Sequence, residues 1–210
     1  MDRDLQEQAT KLDQLGVQAR IALQSLQQAR AQRATAVNAL NQRVEGAHQQ
    51  IDRMQREQQA LDALLADLNR VLPDFALGPQ KPFAHMHGQL PWPVAGRIAA
   101  RFHASRGGTL RWNGMLIDAA RSAKVRAPYY GRVVYADWLQ GMGLLLIIEH
   151  GGGYMSLFGS AEVLYKRVGD SVAPGDVIAG MSAADSPHLY LEIRRGRSAM
   201  DPQVWLKPRR

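Results

Sequence analysis

Along the first 72 residues, apolar side chains return every third and fourth position in one heptad register. With Leu40 at d, the d positions are Leu5, Leu12, Ala19, Leu26, Arg33, Leu40, Ala47, Met54, Leu61 and Leu68. The a positions are Ala9, Gly16, Leu23, Arg30, Val37, Val44, Ile51, Gln58, Leu65 and Leu72. This exceeds the three or four heptads that separate a coiled coil from an ordinary amphipathic helix. The pattern predicts a long coiled-coil helix over 1–72, ended at Leu72-Pro73 because proline cannot continue a helix and disfavours it one residue earlier. Arg30 and Arg33 break the seam, which leaves two readings open. One is a continuous rod with a polar layer, the other a turn near 27–35 that folds the segment into a hairpin. In both, an a/d stripe is not buried by one helix alone and needs a second helix from the same chain, another copy or another protein.

Residues 73–88, PDFALGPQKPFAHMHG, hold three prolines and two glycines without periodicity and read as a linker. His85 and His87 lack carboxylate or cysteine neighbours there and read as ordinary loop residues. From Gln89 the texture becomes short β-rich runs separated by Gly, Pro and Asp: 96–102, 114–119, 124–138, 143–151, 153–159, 163–169, 176–181 and 188–195. Turn signals at this spacing predict an antiparallel all-β domain and argue against βαβ units. The continuous apolar run Leu144–Ile148 predicts a central strand buried on both faces. The fold class is therefore α+β in total: a long N-terminal coiled-coil helix (1–72), a linker (73–88) and a mainly antiparallel all-β domain (89–210).

Composition sharpens the same boundary. Residues 1–72 contain nine basic and nine acidic residues and no proline, so all ten prolines and the whole net charge of +7 fall in the remainder. Zero cysteine excludes disulfides, thiolate zinc sites and a cysteine nucleophile. The basic residues (Arg97, Arg101, Arg121, Lys124, Arg126, Lys166, Arg167) are scattered over strands and turns with no recognition helix, which argues against a nucleic-acid reader. No apolar run is long enough for a membrane span, and nothing near Met1 reads as a signal peptide.

The strings GRI-x-x-RF, WNGMLIDA, KVRAPYYGRVVYA, GMGLLLIIEHGGGYMSLF, VGDSVAPGDVIA, SPHLYLEIRRG and DPQVWL run through almost the whole β domain. Together they resemble the lysostaphin/LytM-type zinc endopeptidase domain. With the preceding coiled coil they resemble the EnvC-like family of murein hydrolase activators. Active members of the zinc family carry His-x-Gly-x-Asp on one strand, a further histidine, and His-x-His near the end. Matched residue by residue, the first ligand position holds Trp112, the carboxylate position Leu116 and the last ligand position Tyr190; Ser160 stands in a catalytic-histidine slot. Only His188 survives, and in active members it is not a ligand.

The resemblance therefore implies a domain without zinc, cofactor or hydrolysis. Two readings of the former active site stay open: a partner-binding groove, or a pocket that Leu116 and Tyr190 have simply filled. For the groove, the candidate residues are Trp112, Asn113, Met115, Leu116, Met142 on the rim, Leu145, Ser160, His188, Tyr190 and Arg194. Side chains two apart on a strand share a face, so His188, Tyr190, Glu192 and Arg194 project together. A relocated zinc site on Asp118, His150 and His188 is the enzymatic alternative, and adhesion of the basic domain to anionic wall is the third. The resemblance implies an N-acetylmuramoyl-L-alanine amidase as partner of the groove and the periplasmic loop of an ABC-type division complex as partner of the coiled coil. Self-association through the coiled coil is a further possibility. It also implies a periplasmic location, so the chain is expected to be the downstream piece of a longer protein.

Overall fold

In a computed structural model of the chain, residues 2–71 and 80–208 are described. Helix α1 runs from Asp2 to Val71. Its sequence is rich in strong helix formers and free of proline, so nothing local interrupts it. Arg30 and Arg33 form a polar layer in continuous helix, and no turn opens at 27–35. The expected stop at Leu72-Pro73 and the linker residues 73–79 lie outside the described residues. The chain divides into two compact units, Met1–Gln50 and Ile51–Arg210, so the division falls inside α1. In the first unit the seam faces solvent: Leu12, Leu23, Leu26, Val37, Leu40 and Val44 are all exposed, from 46% at Val44 to 69% at Leu12.

The second unit is built on thirteen strands among the described residues. They are β1 (Gly96–Ala100), β2 (Ser105–Gly107), β3 (Leu110–Arg111), β4 (Met115–Ala119), β5 (Lys124–Arg126), β6 (Gly131–Leu139) and β7 (Gly143–Glu149). Then follow β8 (Tyr154–Ala161), β9 (Val163–Leu164), β10 (Ser171–Val172), β11 (Val177–Gly180), β12 (His188–Arg195) and β13 (Ser198–Met200). The main sheet has the order β1-β4-β12-β8-β7-β6-β10, with β13 added to β12, and its ladders are antiparallel. Strand pairs β2–β3 and the small sheet β5-β11-β9 complete the domain.

Alternation along each strand gives the sheet two buried faces. On one, Met115, Ile117, Leu146, Ile148, Phe158, Leu189, Leu191 and Ile193 pack with Trp205 and Leu90 in the larger core. On the other, Leu145, Ile147, Met155, Leu157 and Tyr190 pack beneath Leu61 and Leu65 of α1. Strand β7 contributes to both, as its continuous apolar run requires.

Residues read as linker also enter the β unit. Phe83 is buried, stacks on His150 at 4.4 Å and on Trp205 at 4.9 Å, and Tyr129 donates to the Lys81 carbonyl at 2.6 Å. An unpatterned stretch can still deliver one large aromatic to a core, and periodicity does not register a single anchor. His87 lies against Trp205 in the same place.

Candidate functional site: the second face of the sheet

The centre of the site comes from two adjacent strands, β4 and β12, and the loop that enters β4, with β7 and β8 extending the same face. Strand β12 pairs with β4 so that Tyr190 faces Leu116 and His188 faces Asp118. Gly114 lies between Trp112 and Leu116, and a Cβ there would come within 2.9 Å of the Tyr190 ring and 2.4 Å of the Leu191 carbonyl oxygen. The strand therefore needs glycine for the tyrosine ring to lie across it. Trp112 and Tyr190 rings stand 5.9 Å apart, and the Arg106 guanidinium sits 4.5 Å above the indole. An arginine over an indole face is held by the ring quadrupole, more strongly where water is excluded.

Below this aromatic pair is a buried polar chain. The Tyr190 hydroxyl donates to one oxygen of Glu192 at 2.5 Å. Arg194 donates to the other at 2.6 Å and, through its second nitrogen, to the Arg197 carbonyl at 2.6 Å. Glu192 is wholly buried and Arg194 nearly so. Burial raises the Glu192 pKa, opposed by the charge of Arg194 and by the hydrogen bonds it accepts. Burial, with the neighbouring Glu192 charge adding to it, pushes the Tyr190 phenol well above its usual value, so the phenol stays a proton donor.

The face is covered by Ile51–Val71. The a and d positions of that stretch, Ile51, Met54, Gln58, Leu61, Leu65 and Leu68, are all buried or half-buried. Leu61 and Leu65 are fully buried against Val134, Met142, Leu145, Ile147, Met155, Leu157 and Tyr190, with Leu64, Leu68, Trp112 and Leu116 around them. Polar contacts edge this apolar seat. Glu57 bonds Arg106 at 3.1 Å, with both side chains largely buried, and Asp62 stands 3.8 Å from Arg194. Asn69 donates to the Gly196 carbonyl at 3.4 Å. Two glycines make room for the helix. A Cβ on Gly141 (φ +80°) would come within 2.4 Å of the Glu57 side chain, and one on Gly108 (φ +54°) within 2.9 Å of Ile51. Both φ values lie where a side chain is strained in any case.

The structure gathers most of the sequence-read residues but not all. Trp112, Leu116, Met142, Leu145, Tyr190 and Arg194 lie on or under this face, and Asn113 lines a shallow cleft with Met54, Gln58 and Arg106. Met115 is a correction: it turns to the opposite face and is buried in the larger core, because it neighbours Leu116 and alternation sends it the other way. Ser160 is exposed at a positive φ (+61°), its amide donating to the Met142 carbonyl at 2.7 Å. His188 is half-exposed and paired with Asp118 at 2.8 Å.

Two sets of residues were not read as part of the site: Arg106, and the helix residues Glu57, Leu61, Asp62 and Leu65. Arg106 sits in the three-residue strand β2, which is too short to show an alternation and was not among the runs read from the sequence. The helix did carry a signal. Leu61, Leu64, Leu65 and Leu68 widen the stripe beyond a strict a/d seam, as a helix lying on a globular core does.

Does this set suit the zinc ion of the resembled endopeptidases? Trp112, Leu116 and Tyr190 offer an indole, an alkyl group and a phenol whose proton is given to Glu192, so none is a ligand for a site of that kind. His150, the third member of the relocated alternative, belongs to the other side of the sheet. Its Nδ1 donates to the Tyr130 carbonyl at 2.6 Å, which can only accept, so Nε2 accepts from the Ser156 hydroxyl at 2.7 Å. Burial lowers its pKa to about 4, opposed by the hydrogen bond to Tyr130. Both ring nitrogens are thus committed, and Asp118, His150 and His188 do not converge.

With this geometry established, residues 110–202 match peptidase family M23. The chain is 46% identical over 122 residues to the Escherichia coli K12 protein named murein hydrolase activator EnvC, a match covering 57% of this chain and 29% of that protein. It is 33% identical over 121 residues to the E. coli K12 murein hydrolase activator NlpD, covering 56% of this chain and 31% of that one. The chain therefore spans about three tenths of these relatives. Among solved structures, a putative peptidase M23 from Pseudomonas aeruginosa superposes with TM-score 0.55 at 20% identity, over 76% of this chain and 63% of that one. At that identity the likeness concerns the fold.

Proposed function

We propose that this chain activates a peptidoglycan hydrolase without hydrolysing murein itself: its β unit matches peptidase family M23 and shares that fold, and the resemblance puts Trp112, Leu116 and Tyr190 where active members hold their metal. The relatives named murein hydrolase activators support activation as the role. The finer reading is that the hydrolase is an N-acetylmuramoyl-L-alanine amidase of the periplasm, engaged through the second face of the sheet. The exposed seam of Met1–Gln50 would dock on the periplasmic loop of an ABC-type division complex or on a second copy.

The observation that carries this reading is a ready-made helix seat whose chemistry is that of a binding surface. Aromatic and arginine groups, Trp112, Tyr190, Arg106 and Arg194, surround aliphatic side chains, which is the composition of an interface hot spot. Ile51–Val71 occupies that seat, so the seat is closed until the segment leaves. Activation is then a population shift: the activator binds the open hydrolase better than the closed one. A hundredfold activation asks for a preference of about 2.7 kcal/mol, within the reach of one buried helix.

The test is dye release from labelled murein by an amidase in the presence of this chain. Replacing Leu61 and Leu65 by serine is expected to raise stimulation by opening the seat. Adding Tyr190→Ala and Arg194→Ala is expected to abolish it. Stimulation that survives those two changes would place the contact elsewhere.

A further inference from the structure

The seat beneath Ile51–Val71 selects for charge as well as shape. At 100° per residue, Leu61 and Leu65 lie at the centre of the buried stripe, while Glu57 and Asp62 fall on its two opposite borders. Each border carboxylate meets a guanidinium: Glu57 bonds Arg106 at 3.1 Å, and Asp62 stands 3.8 Å from Arg194. Neither arginine is an ordinary surface side chain. Arg106 is 9% exposed and lies over Trp112; Arg194 is 6% exposed, and its Nε has no hydrogen-bond partner among the described residues.

An apolar helix without acids would cover both guanidinium groups. Arg194 would keep Glu192, but Arg106 would lose the one carboxylate it bonds among the described residues. A buried charge whose partner is removed carries its full desolvation cost. A helix that displaces Ile51–Val71 therefore has to replace those carboxylates as well as the leucines, and a basic residue on either border would be rejected by like charge.

We propose that the partner helix taken up by this seat carries an acidic residue at i, an aliphatic one at i+4, an acidic one at i+5 and an aliphatic one at i+8. This is the pattern Glu57, Leu61, Asp62, Leu65. The inference rests on the reading that the seat receives a helix from the activated hydrolase, and it states what that helix must present.

The probe is a fluorescein-labelled synthetic peptide with the sequence of residues 51–71, added to the full chain opened by Leu61→Ser and Leu65→Ser. The peptide is expected to bind, and a version with Glu57→Gln and Asp62→Asn to bind about tenfold more weakly or worse. In an opened chain that also carries Arg106→Gln, a peptide with Glu57→Gln alone should bind as well as the parent. Since the peptide change does not touch the folding of the protein, the comparison remains readable if an arginine variant fails to fold. Equal binding of the parent and neutral peptides to the opened chain overturns the proposal. So does a dimer of that chain with no peptide uptake, because the seat then takes a second copy. Dye release by an amidase is read on the same samples. Stimulation without peptide selectivity overturns the charge pattern and leaves the activator reading standing; selectivity without stimulation overturns the hydrolase as the source of the helix.

Discussion

The two stretches of α1 share one heptad register and end in opposite environments. Before residue 50, Leu12, Leu23, Leu26, Val37, Leu40 and Val44 meet solvent; after it, Leu61 and Leu65 are buried under a sheet. Periodicity therefore says that a helix has an apolar face, and does not say what will cover it. A sheet presents a broad, slightly ridged surface, and the denser run Leu61, Leu64, Leu65 and Leu68 is wide enough to lie on it. The sparser upstream stripe, with Gly16, Ala19 and Ala47 in its a and d positions, is narrower and suits a second helix better.

The contrast breaks most sharply on leucine. Leu61→Ala should destabilise the β unit by about 2–5 kcal/mol, while Leu40→Ala should change it by less than about 0.5 kcal/mol. Urea unfolding followed by tryptophan fluorescence reads both. If the two substitutions cost the same, the division of the helix at residue 50 is wrong.

Acid should act on the β unit through His150. Its pKa is held near 4 in the fold, below the ordinary value of 6.5. The unfolded chain then binds the proton first, so stability is full above pH 6.5 and falls as the pH drops toward 4. The loss amounts to about 3 kcal/mol. Glu192, whose pKa is raised, acts with the opposite sign, losing stability as the pH climbs above its ordinary value of 4.5. His150→Gln should flatten the slope between pH 6.5 and 4. Denaturant titrations at pH 7 and 4.5, read by near-ultraviolet circular dichroism, measure it.

Glycine replacement should change sign between the exposed stretch and the turn that the buried stretch packs on. Gly141→Ala forces a Cβ against Glu57 at positive φ and should cost about 1–3 kcal/mol. Gly46→Ala adds a methyl group with no atom within 4 Å and should stabilise its helix by about 0.5–1 kcal/mol. The helical signal at 222 nm during thermal unfolding distinguishes them; two destabilising results would mean that Gly46 faces a covering surface. The smallest difference concerns carboxylates: Glu57→Gln, losing its bond to the largely buried Arg106, should cost about 1–2 kcal/mol, and Glu45→Gln on the exposed stretch less than about 0.5 kcal/mol.

Much of the fold was legible because strands and helices announce themselves locally. The runs at 114–119, 143–151 and 188–195 became β4, β7 and β12 within two residues at either end, since alternation and turn residues act over short distances. The site was legible where parity applied: Tyr190 and Arg194 share a face because they are separated by an even number of residues. Met115 was misplaced by the same rule applied too loosely, as a neighbour in sequence is an opposite in a strand. Arg106, Phe83 and the surface that the helix would cover were out of reach. Each depends on which distant surface a side chain meets, and no short window of sequence holds that.

By itself the sequence determined that the chain has one long proline-free helix and a strand-rich domain, and it put an indole, an alkyl group and a phenol where the resemblance expects metal ligands. These are properties of residue identity and spacing. Only the tertiary structure decided that Ile51–Val71 lies on the sheet with Leu61 and Leu65 in the seat and Glu57 against Arg106. Burial is a relation between distant segments, and hydrophobic attraction has no address of its own: it favours any apolar surface that fits, and shape and charge pick one only once the sheet has formed.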